Sequence, residues 1–390
     1  LHLSIRRQRQ MCIRDRHIPW CIKKCPYCDF NSHQVNGSFE EDNYTNKLYD
    51  DFLVELNRLG DKNRELQSIF IGGGTPSLFK GDSFHFLFTR IKSHLKFSEN
   101  IEITIEANPG AVDSEKFRAY FDAGINRISL GVQSFDDKYL SKLGRIHTSN
   151  DAIKSIEVAK SAGFENINLD IMHGLPEQSI EAAAEDLRIA IEQSPSHISW
   201  YQITIDPKTD FYNYPPKLPS EHIQDGIFEK GTKILSTHAF SQYEVSAFAQ
   251  NSRKSFHNHN YWSFGDYLGI GSGAHGKLTL LNENKLIRTN KPKRPDHYMN
   301  HAVDSATQLR EISTEERTIE FLMNALRLKE GFSQNLFEVR TGNEFSVISS
   351  KISKLIESGL IETNKIHGED FYCASHKGYR FLNTLLGEFL

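Results

Sequence analysis

The chain has 390 residues, of which 38% are hydrophobic and 25% charged, so it can bury a sizeable core and wholesale disorder is excluded. Its 46 Lys and Arg residues against 50 Asp and Glu residues give a formal net charge of −4, which argues against attachment to nucleic acid or anionic lipid by bulk charge. Since the sequence shows neither a transmembrane helix nor the apolar core of a signal peptide, we expect a cytoplasmic protein.

The first sixteen residues are crowded with arginine and show neither a helix period nor a strand period. We interpret residues 1–16 as a non-native segment, such as a translated cloning scar, and exclude them from the fold. The alternative is a disordered basic tail. In either case Cys12 receives no role.

Three closely spaced cysteines follow this segment. The chain has an odd number of cysteines, which makes a poor disulfide framework, at positions 12, 21, 25, 28 and 373. The spacing Cys21-x3-Cys25-x2-Cys28 suits a cubane iron–sulfur cluster that leaves one iron open. The alternative is a zinc knuckle, which would need a fourth ligand such as His17 or His33.

From residue 66 to residue 205, short β-rich runs alternate with amphipathic helical stretches, a pattern that predicts βαβ units and a parallel sheet. The strands are expected at 68–72, 101–106, 127–131, 166–171 and 197–205, with one more leading to Cys21, and the helices include 43–59, 114–123, 151–162 and 180–192. Six units in this length are too few for a closed eight-unit barrel, which typically needs about 250 residues. The prediction is an α/β fold with a partial (β/α)6 barrel, open on one side.

A second, smaller unit is expected after the barrel. The proline-rich stretch 206–220 should cover one end of the sheet, and the segment 282–295 reads as a connector. Two β-like runs at 361–364 and 370–374, between helices, suggest a small winged-helix-like α+β domain. The predicted division is 1–16 non-native, 17–240 barrel, 241–305 connecting region and 306–390 C-terminal domain.

Polar or glycine-rich residues follow four of the predicted strands. They are Gly72-Gly73-Gly74-Thr75-Pro76, then Glu106-Ala107-Asn108-Pro109, then Gln133-Ser134, and finally Asp170 with Gly174 and Pro176 beyond it. Because parallel strands in a barrel deliver their carboxyl ends to one rim, we expect these segments to share that rim with the cysteine loop. The sequence therefore predicts a ligand site there.

Together these motifs resemble a known superfamily. The CxxxCxxC motif with Tyr27 before its last cysteine, followed by GGGTP, is similar to that of radical S-adenosylmethionine (SAM) proteins. Within that superfamily the chain resembles the oxygen-independent coproporphyrinogen III oxidase family, and its heme chaperone branch above all. The segments that carry this likeness are HIPWCIKKCPYCDFNSH, IEANPG, GVQSFDD, LGRIH and DIMHGLPEQ.

The resemblance implies a set of cofactors and their contacts. Cys21, Cys25 and Cys28 would bind a [4Fe-4S] cluster, and SAM would chelate its open iron. The SAM contacts implied by the family are Tyr27, Gly73, Gly74, Thr75, Glu106, Gln133, Arg145 and Asp170. One position departs from the family pattern, because Asp15 stands where the family has a tyrosine that contacts SAM.

A second motif, HNHNYW at residues 257–262, matches the HNxxYW pattern that resembles the heme-binding signature of the chaperone branch. Neutral imidazole is a natural axial ligand of heme iron, and the rings of Tyr261 and Trp262 offer flat faces to a porphyrin. His257 is the first candidate ligand and His259 the second. Taken without the family, the same residues would read as an ordinary surface loop.

The resemblance leaves two functions. A heme chaperone would bind heme and transfer it to acceptor hemoproteins, respiratory enzymes among the candidates. The alternative is an oxygen-independent coproporphyrinogen III oxidase, a dehydrogenase of porphyrin metabolism. The chaperone is favoured, because Phe30 stands where the oxidase branch has a further cysteine and only twenty residues precede Cys21, where that branch has a long extension.

The C-terminal domain invites a third reading, nucleic-acid binding. Residues 306–390 contain 10 Lys and Arg against 12 Asp and Glu, a net charge of −2, and phosphate recognition needs the opposite sign. We expect a lid or a docking surface instead. The sequence leaves open the identity of the acceptor, covalent attachment of heme, cleavage of SAM and formation of a homodimer.

Overall fold

The structure is a computed structural model that describes residues 10–35, 39–60, 63–110 and 113–389, with side chains from Ile18 onward. Its strands are β1 Gln10–Ile18, β2 Trp20–Cys21, β3 His33–Gln34, β4 Glu65–Gly73, β5 Phe97–Ala107, β6 Arg127–Gln133, β7 Asn166–His173, β8 His197–Gln202, β9 Ser241–Glu244, β10 Ala247–Ala249, β11 Asp266–Gly271, β12 His275–Leu280, β13 Lys285–Asn290, β14 Gln308–Glu311, β15 Phe332–Ser333, β16 Ile361–Ile366 and β17 Glu369–Ala374.

The helices of the described residues are α1 Glu41–Leu59, α2 Gly81–Lys92, α3 Ser114–Asp122, α4 Asp137–Lys142, α5 Ser149–Ser161, α6 Ile180–Glu192, α7 Asp210–Asn213, α8 Glu221–Thr237, α9 Phe256–Trp262, α10 Pro295–Asn300, α11 Val303–Ala306, α12 Thr314–Ala325, α13 Gln334–Thr341, α14 Ser346–Glu357, α15 His376–Arg380 and α16 Leu382–Gly387. A 3-10 turn covers Pro76–Leu78. None of these helices has the length and apolar character needed to cross a membrane.

Parallel strands form the centre of a twelve-stranded sheet whose order is β14-β13-β12-β11-β1-β4-β5-β6-β7-β8-β10-β9. The strands from β11 to β8 in this order are all parallel, and the strands beyond them are antiparallel. The sheet curls into a half-barrel. The strand order is linear and its two end strands do not pair with each other, so the barrel does not close. The predicted six-unit barrel, open on one side, is confirmed, with β1 and β4 to β8 as its strands.

The sequence did not predict β11, a seventh parallel strand that lies beside β1. All six residues of β11 are buried, so the strand lacks the alternation of polar and apolar residues by which half-buried strands are recognised. Gly269 is required there, because a Cβ atom would lie 2.2 Å from the carbonyl oxygen of His275. The expected connector 282–295 is also corrected, since β13 occupies part of it and pairs with β12 and β14.

The N-terminal segment needs a further correction. Residues 1–9 lie outside the described residues, but residues 10–16 belong to β1, which pairs with both β4 and β11. Excluding residues 10–16 from the fold was wrong. The backbone N–H and C=O groups of these residues pair with the strands on both sides, and this pairing does not require a regular pattern of side chains. Both ladders skip Asp15, where the register shifts. The non-native origin of residues 1–16 stays a prediction.

Two apolar cores hold the described residues together. The larger core packs the flanking helices onto the sheet, for example Phe52 of α1 near Ile69 of β4. The smaller core is built around Phe321, Phe332 and Phe337 in the C-terminal part. There the helices α12 to α14 precede the antiparallel pair β16 and β17, as the winged-helix-like pattern predicts. The exact domain boundaries stay a prediction.

Candidate functional site

A cavity of about 250 Å³ lies at the carboxyl ends of the parallel strands. Its lining includes nearly all of the predicted cluster and SAM residues, namely Cys21, Cys25, Tyr27, Cys28, Gly73, Gly74, Glu106, Gln133, Arg145 and Asp170. Two of the predicted site residues, Thr75 and His257, lie outside this lining. The parallel topology brings the rest together, as strand ends of a barrel do.

The cysteine loop is tied to the rim by its backbone. Cys21 ends β2, and its carbonyl oxygen accepts a hydrogen bond from Val35 N at 2.9 Å, beside β3. Within the loop, Cys28 N donates to the carbonyl oxygen of Cys25 at 3.1 Å, which closes a tight turn. These bonds hold the three thiols at one end of the cavity.

The thiols are close enough to affect one another's ionisation. Burial raises the pKa of the Cys21 thiol, and the nearby Cys28 and Cys25 raise it further, against a hydrogen bond with Thr75 that lowers it. Burial also raises the pKa of Cys28. The metal-free thiols of Cys21 and Cys28 are therefore protonated at neutral pH, and binding of a metal group through them must release protons.

The zinc alternative can be compared with the geometry. His33 Nε2 lies 3.1 Å from the carbonyl oxygen of Lys293 and 3.2 Å from Asn31 Oδ1, so its ring is engaged away from the thiols. The side chain of His17 is outside the described set. Among the described residues, no three His, Cys, Asp or Glu side chains are arranged to hold a single metal ion. A cubane cluster binds each thiolate through a different iron, so its ligands need no common point.

The glycine-rich segment after β4 lies directly against the cysteine loop. A Cβ atom on Gly74 would lie 2.5 Å from the carbonyl oxygen of Trp20 and 3.0 Å from Cys21 Sγ, so only glycine fits there. Thr75 N donates to that same Trp20 oxygen at 2.7 Å. Gly73, whose φ is +117°, donates its N–H to Glu106 Oε2 at 3.1 Å. This segment therefore places bare backbone beside the thiols.

A chain of side-chain hydrogen bonds links the rim segments. Asn108 Nδ2 donates to Thr75 Oγ1 at 3.0 Å, and Asn108 Oδ1 accepts from Arg145 Nη2 at 2.6 Å. Arg145 Nη1 lies 3.7 Å from Cys25 Sγ. Asn108 also lines the cavity. The sequence analysis did not assign it, although its position two residues after Glu106 at a strand end was a usable signal.

Asp170, on β7, and Gln133, at the end of β6, also line the cavity. Asp170 accepts hydrogen bonds from Ser129 Oγ at 2.8 Å and Asn168 Nδ2 at 2.9 Å. Burial raises the pKa of Asp170, and these two bonds only partly offset that effect. Gln133 Oε1 accepts from Tyr201 Oη at 2.7 Å. Tyr201 also lines the cavity and was missed; its place on the inward face of β8, with residues 197 and 199, was the signal.

The proline-rich stretch 206–220 lies over the cysteine loop. Phe211, in α7, donates its N–H to the carbonyl oxygen of Pro26 at 3.0 Å. Its ring lies 6.3 Å from that of Tyr27, measured between centroids. Both rings belong to a small apolar cluster above the rim. The loop therefore shields one side of the cysteine loop from water.

The predicted heme ligand lies elsewhere. His257, in α9, is 3% exposed, and its ring stacks on Phe70 with centroids 4.8 Å apart. Its backbone N–H donates to Glu102 Oε1 at 3.1 Å, four residues before Glu106 on β5. Helix α9 thus lies inside the half-barrel below the cavity. By contrast, the His259 side chain is 35% exposed and its Nε2 lies 2.8 Å from Glu330 Oε1.

Comparisons with known proteins agree with this geometry. Residues 16–189 match the family model of the radical SAM superfamily, and residues 312–367 match that of the HemN C-terminal domain. The chain is 46% identical to the heme chaperone HemW of Haemophilus influenzae, over 96% of both chains. It is 42% identical to HemW of Escherichia coli, over 96% of this chain and 97% of that one.

A solved structure shows the same fold. The coproporphyrinogen III oxidase HemN of Escherichia coli matches with a TM-score of 0.77, covering 99% of this chain and 92% of that one. The sequence identity is 18%, so this likeness concerns the fold alone.

Proposed function

The chain belongs to the heme chaperone HemW family of the radical SAM superfamily, and from this premise we propose that it binds heme and transfers it to acceptor hemoproteins. Membership of the superfamily implies a [4Fe-4S] cluster and SAM as cofactors. The observation that carries the proposal is the full-length likeness to heme chaperones, combined with three thiols that line one cavity with the polar strand ends.

In this proposal Cys21, Cys25 and Cys28 ligate three irons of the cluster and leave the fourth to SAM. The fit rests on a donor set of three thiols in one loop and on the close approach that Gly74 allows beside Cys21. When bound and reduced, such a cluster supplies an electron for SAM chemistry.

The remaining residues of the cavity have distinct roles toward SAM. Arg145 pairs with the SAM carboxylate, because a guanidinium forms strong charge-assisted bonds with that group. Asp170 accepts from the ribose hydroxyls, and Glu106 from the ammonium group. Gly73 presents bare backbone to the methionyl portion, since its φ of +117° is one that residues with a side chain rarely adopt.

Heme is proposed to bind at α9. Both histidines of this helix can offer a neutral imidazole nitrogen to iron. His257 was the first candidate, and its stacking on Phe70 means that ligation through it requires α9 to move. The His259 side chain is 35% exposed, and ligation through its Nε2 requires only that the contact with Glu330 Oε1, at 2.8 Å, be broken. Trp262 lies nearby, with one face of its ring covered by the Arg327 guanidinium at 4.3 Å, so only its other face is left for a porphyrin.

The test is a heme titration of the anaerobically reconstituted protein. We expect one heme per chain and a Soret band that shifts or disappears in either His257→Ala or His259→Ala, with the cluster spectrum unchanged. His85→Ala is the control, because His85 is an exposed histidine on α2 and should leave the band intact. Transfer is then measured as activity regained by a heme-depleted respiratory enzyme. Absence of heme binding contradicts the proposal.

The oxidase remains the second candidate because its fold matches along the whole chain. Phe30 is 59% exposed at the place where, by resemblance, the oxidase branch has a further cysteine. We therefore expect no useful decarboxylation of coproporphyrinogen III with SAM and a reductant. Formation of protoporphyrinogen IX with turnover, without affinity for heme, would reverse the order of the two candidates.

A further inference from the structure

A buried carboxylate outside the cavity joins two of the sequence motifs. Asp186, in α6, is 2% exposed. Its oxygens accept from Ser134 Oγ at 2.9 and 3.0 Å, from Phe135 N at 2.7 Å and from Gln178 Nε2 at 3.3 Å. Ser134 and Phe135 belong to the GVQSFDD segment after β6, and Gln178 ends the GLPEQ segment after β7. One side chain thus holds two rim loops.

The loop after β6 begins with a strained turn. Gln133 has a φ of +69°, and Ser134 N donates to the carbonyl oxygen of Val132 at 2.9 Å, which defines a γ-turn centred on Gln133. This form of the turn is rare and strained, and it persists only where its surroundings hold it. Asp186 holds the two residues after the turn. His147 Nε2, 3.1 Å from the Val132 oxygen, holds the residue before it.

The strained turn decides where the Gln133 side chain points. Gln133 lines the cavity and accepts the hydroxyl bond of Tyr201. A relaxed turn would change the direction of this side chain, because φ and ψ of a residue set the direction of its Cβ. The geometry of one cavity wall therefore depends on Asp186, which does not itself line the cavity.

We propose that Asp186 is a positioning residue for SAM: by accepting hydrogen bonds from Ser134, Phe135 and Gln178, its carboxylate fixes the γ-turn that directs Gln133 into the cavity. The inference rests on the proposed assignment of the cavity to SAM. To the residues assigned to the SAM site it adds Asp186, which lies on α6 behind the rim.

Protonation of Asp186 should loosen this arrangement. The carboxylate only accepts hydrogen bonds, whereas the carboxylic acid must donate one and so loses an acceptor position. Burial raises the pKa of Asp186 to about 7, and the neighbouring carboxylates of Asp136, just before α4, and Glu185, on α6, contribute. Tyr139 faces it from α4. SAM affinity should therefore fall as pH decreases through about 7.

The test measures SAM affinity by equilibrium dialysis of the anaerobically reconstituted protein, at about pH 8 and about pH 6. The unmodified protein should bind SAM roughly 10-fold more tightly at the higher pH, which corresponds to about one hydrogen bond. Asp186→Asn should bind weakly at both values. Glu192→Gln is the matched control, since it removes an exposed charge at the end of the same helix and should keep the original pH profile.

Each outcome decides the inference. Because Asp170 is present in every variant, the difference between the profiles isolates Asp186. If Asp186→Asn does not fold, Ser134→Ala removes the hydroxyl bonds to Asp186 from the other side and should also weaken SAM binding. A folded Asp186→Asn or Ser134→Ala variant with the original affinity and pH profile overturns the inference but leaves the proposed function intact. Absence of SAM binding by the unmodified protein at both pH values overturns the SAM assignment and the inference with it.

Discussion

Two carboxylates of the chain, Asp266 and Asp170, have different surroundings. Asp266, at the start of β11, accepts from Arg64 at 2.5 Å, Lys277 at 2.9 Å and both the N–H and hydroxyl of Thr279. Burial raises its pKa, but the two cations outweigh burial and hold that pKa well below its usual range. Asp170, at the rim cavity, faces no such cations within hydrogen-bond distance among its described partners, and burial raises its pKa.

This difference separates a structural carboxylate from a binding one. The ionised form of Asp266 is stabilised by the fold itself, so the group is complete without any ligand. The ionised form of Asp170 is disfavoured by the fold and stands at a cavity, so a polyhydroxyl or cationic ligand would improve its surroundings. Burial and charge alone would not have distinguished the carboxylate of Asp266 from that of Asp170. The predictions below separate them by stability and by ligand affinity.

The largest effect is expected at the cysteines of the cavity. Replacing Cys21, Cys25 or Cys28 by Ala should abolish the iron–sulfur absorbance of the reconstituted protein, because in the proposed site each thiolate holds a separate iron. Cys373→Ala is the control, since Cys373 is also a free cysteine but lies in β17, and the cluster spectrum of this variant should be unchanged. A cluster that survives loss of any of the three would contradict the assignment.

The structural carboxylate should affect stability instead. Asp266→Asn leaves Arg64 and Lys277 buried without a counter-charge and should lower the free energy of unfolding by about 3–5 kcal/mol. Chemical denaturation of the metal-free chain measures this. Glu283→Gln breaks an exposed ion pair with Lys285 and should change stability by less than about 1 kcal/mol. SAM affinity of the folded Asp266→Asn protein should be unaltered.

The binding carboxylate should show the reverse behaviour. Asp170→Asn should weaken SAM binding by about 10- to 150-fold, equivalent to about 1.5–3 kcal/mol for a hydrogen bond to a charged group. The same variant should be at least as stable as the parent at neutral pH, because it removes a carboxylate that the fold disfavours when ionised. Calorimetric titration and thermal unfolding test the two halves. A large loss of stability with unchanged SAM affinity would show that Asp170 is a structural carboxylate like Asp266.

The smallest effect concerns acid stability. The pKa of Asp266 is lowered in the folded state, so its contribution is present above the unfolded value, near 4, and is lost as pH falls toward the folded value. Between about pH 4 and about pH 2 this carboxylate should account for a loss of about 2 kcal/mol. Urea denaturation of the parent protein and of Asp266→Asn over this pH range should show that the free energy of unfolding falls by about 2 kcal/mol less in the variant. Parallel pH profiles would disprove the role of this group.

Some site residues carried a signal in the sequence that was not used. Asn108 lies in a quoted motif, and Tyr201 follows the two-residue period of β8 together with residues 197 and 199. Asp186 carried no such signal. It lies on an ordinary amphipathic helix more than 50 residues from Ser134, so only the packing of α6 against the rim reveals its role.

The motifs and their order along the chain determined the chemistry that this protein presents: three thiols in one loop, glycines after β4, and polar groups after β5, β6 and β7. Parallel topology makes that order sufficient to predict a shared rim, because successive strands end at the same edge. Only the tertiary structure decided the seventh parallel strand, the burial of His257 against Phe70 and the γ-turn held by Asp186. The reason is that each of these depends on contacts between residues far apart in sequence, which no local period records.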